Sequence, residues 1–218
     1  MARADLAQQL PPARTALNGL PTGTVSRKRG WLREHQFRSG ADGGCWYFAT
    51  VPPDPTLPSG RFDLPTPHGT CYFADTQRAA AMERVGVWTT KHKPVPQDFV
   101  DGRAISTVDP GALPERAVNL GSPRATGFGV TGELFTMSDY QVPQAWALAV
   151  YGLGHAGILY PPRFTPGGRA LAVFGRAGVP ATPIAVVRQL PLADVLHRNH
   201  IRIARIPHST SLTMVNPP

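Results

Sequence analysis

Within GRFDLPTPHGTCYFADTQRAAAME, residues 60–83, Arg61, Tyr72 and Glu83 follow one another at intervals of eleven residues. Their side chains are of three kinds with complementary uses. A guanidinium grips a pyrophosphate through paired hydrogen bonds, a tyrosine ring stacks on a planar base, and a carboxylate steadies a cationic sugar. Cleaving an N-glycosidic bond passes through an oxocarbenium-like state, which a nearby carboxylate stabilises electrostatically. The set therefore suits chemistry on an anionic dinucleotide. Taken singly, the same residues read as a loop arginine, a core-edge aromatic and a solvated helix glutamate, and spacing alone does not bring them together.

The elements that must position them are readable. Gly69 to Ala74 forms an aromatic and apolar run behind a Gly/Pro-rich lead-in, which predicts a short buried strand carrying Tyr72. Asp75 is the expected N-cap of a helix over about Thr76 to Val85. Ala79, Met82, Glu83 and Gly86 fall on one side of that helix, so Glu83 shares a face with small and apolar residues.

The blocks GRFDLP, GTCYFADTQRAAAMER, QAWALAVYGLGHAGILYPPRF and GGRALAVFG resemble the RES domain family, over roughly Trp31 to Gly175. The resemblance implies a compact α+β domain of ADP-ribosyltransferase-like fold, with antiparallel and mixed sheets and a few short helices. It implies degradation of NAD as a substrate rather than a cofactor, in a toxin paired with an Xre-type helix-turn-helix antitoxin. By position, the family's two arginines match Arg33 in GWLREHQF and Arg61, its tyrosine matches Tyr72 and its glutamate Glu83. Arg33 and Arg61 are thus implied to hold the NAD phosphates, Tyr72 to pack on the nicotinamide side and Glu83 to contact the nicotinamide ribose. The family's serine follows a tyrosine and one further residue, whereas here Tyr160 and Pro161 lead to Pro162, which has no donor in side chain or backbone. Arg163 is the nearest polar candidate to replace it. His35 is a further candidate, since many ADP-ribosyltransferases contact the adenosine ribose with a first-strand histidine or arginine. Strand alternation points Arg33 and His35 the same way.

The remaining sequence sets bounds. The 218 residues, 42% of them apolar, are enough for one sizeable core, expected over 30–218 with residues 1–29 as an appendage or linker carrying a short helix at Ala4 to Leu10. Further strands are expected at Trp31 to Phe37, Cys45 to Ala49, Arg103 to Val108, Ala117 to Leu120, Gly157 to Tyr160, Ala170 to Phe174, Ile184 to Leu190 and Ile201 to Ile206. A helix capped by Ser138 or Asp139 is expected to run through about Tyr151. Gly152, Gly154 and Gly157 match a dinucleotide-binding glycine pattern only in the reverse order, helix before strand, so they read as a helix stop and turn. Cys45 and Cys71 are the only cysteines and the histidines form no metal-ligand pattern, so neither a disulfide framework nor a metal site is expected. No membrane span or secretory signal is evident, which predicts a soluble cytoplasmic protein. The net charge of +8 raises direct nucleic-acid binding, but only 17% of residues are charged and the arginines are dispersed, which argues against it. Two further readings stand beside the enzyme: a catalytically impaired NAD-binding module, marked by Pro162, and a basic nucleic-acid-binding protein.

Overall fold

The computed structural model describes residues 7–28, 30–39, 43–182 and 184–204. Its strands are β1 (Thr22–Thr24), β2 (Trp31–Gln36), β3 (His68–Ala74), β4 (Val95–Pro96), β5 (Arg103–Val108), β6 (Arg116–Asn119), β7 (Gly157–Tyr160), β8 (Ala170–Arg176), β9 (Val186–Pro191) and β10 (Ile203–Ala204). The helices are α1 (Gln77–Thr89), α2 (Gln97–Val100), α3 (Gln141–Gly152) and α4 (Leu192–Arg198). Eight strands form one sheet in the order β1-β6-β7-β8-β3-β2-β5-β9, antiparallel throughout except at β6–β7, while β10 and β4 pair in parallel apart from it.

Side-chain alternation divides the core. On one face, Phe62, Val118, Ile158, Ala172 and Trp146 of α3 pack together, and beside them Leu32, Ala74 and Ile105 pack under α1 and α4. On the other, Trp31, Cys71, Phe73, Leu171 and Val173 are covered by Cys45, Trp46 and Phe48. The ladder is full between β3 and β8, from His68 opposite Arg176 to Ala74 opposite Ala170, and between β2 and β5 from Trp31 opposite Val108 to Gln36 opposite Arg103. Between β2 and β3, Leu32 opposite Ala74 is the one register pair. The sheet is thus open along most of that boundary.

Several expectations need correction. Residues 7–28 are no appendage or linker: β1 extends the sheet, Leu17 and Leu20 lie in the core, and Gln8 is buried with its amide donating to the Gly129 carbonyl and accepting from the Thr131 N–H. Ala7 to Leu10 is not helical, and Ala4 to Leu6 lie outside the described residues. Cys45 to Ala49 is not a regular strand. Its aromatics instead cap the core, with Trp46 4.9 Å from Phe73, while Phe48 and Ala49 make single bridges to Gly178 and Thr70. Helix α1 is capped by Thr76, whose side chain accepts the Ala79 N–H at 3.1 Å, because Asp75 is engaged by the Arg169 N–H. It also runs one turn beyond Val85. The expected strand Ile201 to Ile206 is only β10, and its last two residues are outside the described ones. The glycines after α3 do end the helix, with Gly154 in the left-handed region at φ 86°.

Candidate active site

A cleft of about 550 Å³ lies where β2 and β3 part, and Arg33, His35, Arg61, Tyr72, Glu83 and Arg163 all line it. These residues come from β2, the loop before β3, β3 itself, α1 and the loop after β7. Because the sheet is open here, both of its faces contribute. Leu32 and Glu34 of β2 lie on the helix-covered face, Arg33 and His35 on the other, and all four reach the cavity.

The segment carrying Arg61 is fastened to β3 by polar bonds between residues close in sequence. The Tyr72 hydroxyl donates to Asp63 Oδ1 at 2.7 Å and accepts the Phe62 N–H at 2.8 Å. Thr70 Oγ1 donates to the Phe62 carbonyl at 2.7 Å, and the Gly60 N–H donates to Asp63 Oδ2 at 2.5 Å. A Cβ on Gly60 would come within 2.6 Å of the Tyr72 hydroxyl, so the turn closes only with glycine. Helix α3 holds the same turn through Gln144, whose side-chain amide donates to the Gly60 carbonyl at 3.1 Å.

Arg61 is buried, and its Nη1 donates to the Met137 carbonyl at 2.8 Å and the Leu134 carbonyl at 3.3 Å. Its guanidinium lies 4.8 Å from the Tyr140 ring centroid. Burial lowers its pKa from the ordinary arginine value, an effect opposed by nearby Tyr140, Tyr160 and Glu83. Half of the guanidinium fork thus serves the fold. Arg33 is half-buried and likewise spends its Nη1 on protein, donating to the Tyr47 carbonyl and to Cys71 Sγ. His35 accepts or donates through Nδ1 to the Gln36 carbonyl at 3.0 Å and through Nε2 to Ser106 Oγ at 2.8 Å. Since a carbonyl only accepts, the proton belongs on Nδ1, and Nε2 then accepts from the Ser106 hydroxyl.

Glu83 is half-buried on α1 and accepts the Phe164 N–H at 3.3 Å. Burial raises its carboxyl above the ordinary value, opposed by that N–H, by Arg61, and by the N–H and the charge of Arg163. One turn along the helix, Gly86 leaves the space that the Phe164 ring fills, which seats the loop after β7 against α1. Arg163 is exposed, its guanidinium 5.2 Å from the Phe164 ring centroid, and that guanidinium makes no hydrogen bond or ion pair among the described residues. Pro162 is buried and does not line the cleft. Asp63 is fully buried, and burial raises its pKa against the pull of its hydrogen bonds and of Arg33.

Tyr160, at the end of β7, forms part of the cleft wall, as do Tyr140, Glu34, Arg84 and Arg103. Glu34 joins Arg103 at 2.8 Å and Arg84 at 3.2 Å, tying β2, β5 and α1 together beside the cavity. Sequence reasoning singled out none of these, nor Asp63. The D in GRFD lies two residues from Arg61 and was a visible signal; the others come from distant segments. Among the described residues, no group of three or more His, Cys, Asp or Glu side chains could hold a metal ion, and no helix is long and apolar enough to cross a membrane.

Residues 31–194 match the model of the RES domain. Comparison with curated protein sequences gives no match. Among solved structures, the fold is similar to a chain of the M. tuberculosis MbcT–MbcA toxin–antitoxin complex, with a TM-score of 0.59, 17% identity, and coverage of 84% of this chain and 94% of that one. The compact α+β architecture expected from the sequence, with antiparallel and mixed strand pairing and a few short helices, is the one observed, and it shares its fold with that chain.

Proposed function

The chain belongs to the RES domain family, and from that premise we propose that it cleaves the nicotinamide–ribose bond of NAD, as the toxin of a toxin–antitoxin pair. The observation that carries this reading is the convergence of Arg33, Arg61, Tyr72 and Glu83 from four separate segments on one cleft. The fold shared with a member of a toxin–antitoxin complex supports the pairing. A helix-turn-helix protein of the Xre type that covers the cleft is the proposed partner.

Bound NAD presents its pyrophosphate to the free guanidinium nitrogens of Arg33 and Arg61, with Arg163 adding charge at the mouth and His35 flanking Arg33. The Tyr72 ring packs beside the nicotinamide, fixed in place by Asp63. As the bond between the ribose C1′ and the pyridinium nitrogen breaks, its electron pair leaves with nicotinamide, which departs neutral. Positive charge develops on the ribose, and the Glu83 carboxylate stabilises it. Attack at C1′ by water with loss of a proton gives ADP-ribose; attack by inorganic phosphate gives the 1″-phosphate. The same cleft with binding but no turnover is a second reading, favoured by Pro162, which places no hydroxyl in the cavity.

Release of nicotinamide from NAD by the purified chain, with and without phosphate and with Glu83→Ala alongside, tests the proposal. Release that needs Glu83 supports cleavage, and a phosphate requirement identifies the acceptor. NAD binding with equal inertness of both proteins favours the binding module.

A further inference from the structure

Tyr160 is 7% exposed, and its ring is wedged edge-on against Phe62 at 4.9 Å and stacked over Phe135 at 6.5 Å. Its residue lines the cleft, yet its hydroxyl makes no hydrogen bond among the described residues. Tyr72, in the same cavity, has two partners for the equivalent atom. The hydroxyl is not among the sealed, unpartnered polar atoms of the interior, so it opens on the cleft, where it is free to bond with what the cavity holds. Glu83 and Arg61 lie within electrostatic reach of it. Two residues further along, Pro162 is buried and has no donor to offer.

We propose that the Tyr160 hydroxyl is a substrate-binding group, donating a hydrogen bond to an oxygen of the sugar held against Glu83, a contact that Pro162 cannot make. This rests on the NAD-cleaving reading and extends it. The chemistry favours a sugar over a phosphate at this point. A phosphate at this point would set the repulsion of Glu83 against the attraction of Arg61, whereas a neutral polyol accepts from a neutral hydroxyl and leaves the Arg61 charge balanced by Glu83. Burial, reinforced by Glu83, holds the phenol protonated far above neutral pH, so it acts as a donor throughout the working range.

Tyr160→Phe deletes one oxygen and leaves the ring packing in place, and an unchanged melting midpoint verifies the fold. Tyr151→Phe, whose hydroxyl bonds to His68 and is outside the cleft, is the control. Nicotinamide release and calorimetric NAD affinity are measured for all three proteins. The expected result is a loss on the order of tenfold in kcat/KM for Tyr160→Phe and none for the control. Cleavage that is equal in wild type and Tyr160→Phe overturns the role of Tyr160 and leaves the proposed reaction standing. Should wild type bind NAD without cleaving it, weaker binding by Tyr160→Phe upholds the contact while the cleavage reading falls, and equal binding overturns the contact as well. A wild type that neither binds nor cleaves NAD sinks both.

Discussion

At the floor of the cleft, Arg61 and Tyr72 spend polar atoms on the protein itself, Tyr72 on the Asp63 behind it, whereas at the rim Arg163 projects with its guanidinium free of hydrogen bonds and ion pairs among the described residues. Both regions carry cationic charge toward the same cavity, but on different terms. Floor groups, Glu83 among them, are desolvated and fixed, so their charge acts without reorganising; in the proposed cleavage it is the Glu83 carboxylate that faces the developing cation. The rim keeps its charge in water, where it is weaker, adaptable and screened by salt. The floor is therefore suited to chemistry and the rim to capture.

The sharpest challenge to this contrast is Glu83→Gln, which keeps the shape of the floor and removes its negative charge. Nicotinamide release is expected to fall on the order of a hundredfold or more. The same substitution is expected to raise the melting midpoint at neutral pH by a few degrees. The folded chain holds the Glu83 proton more tightly than the unfolded chain does, so its stability contribution declines as pH rises from the ordinary carboxylate value of 4.5 through the raised folded one. A variant both inert and less stable would contradict that account.

Arg61→Met comes next. It leaves the Leu134 and Met137 carbonyls without their buried donor, and a loss of about 2–4 kcal/mol in chemical denaturation is expected, beyond any effect on activity. Stability equal to wild type would mean that the floor is less committed than its bonds indicate. A pH series gives a third check. Because burial raises Glu83, the acid limb of the rate profile is expected to lie above the ordinary carboxylate value, with the rate rising as the carboxylate forms; a limb at or below 4.5 would remove the argument for a desolvated floor. Smallest of all, Arg163→Ala is expected to leave the melting midpoint unchanged and to raise the KM for NAD several-fold at low ionic strength, with the difference fading in high salt. A salt-independent effect would move Arg163 from the rim to the floor.

The same division explains what the sequence could reveal. Tyr72 and Glu83 sit on a strand and a helix whose apolar patterns are continuous over a full element, and Arg61 precedes them in an unbroken block, so this side of the cleft was legible. Tyr140 and Tyr160 reach it from the far half of the chain, and only the order of strands, β7 beside β8 beside β3, brings them near. Glu34 stands in sequence simply as the polar residue that follows Arg33. It is buried because Arg84 and Arg103 meet it from two other elements, which periodicity cannot register. The N-terminal stretch misled for a related reason: Gln8 looks solvent-loving until the Thr131 N–H and the Gly129 carbonyl take up its amide. Helix α4, only seven residues behind Pro191, is too short to announce itself and exists through the packing of Leu192, Val195 and Leu196.

The lone pairing of Leu32 with Ala74 has a mechanical consequence. It makes the sheet two stiff plates, β1-β6-β7-β8-β3 and β2-β5-β9, with a seam that the ladder closes at one point and that helix α1 and the Glu34–Arg84 pair clasp from one side. Whatever occupies the seam also braces the plates against each other. Binding energy spent there becomes rigidity, and amide exchange along the facing edges of β2 and β3 will slow together when the cleft is filled.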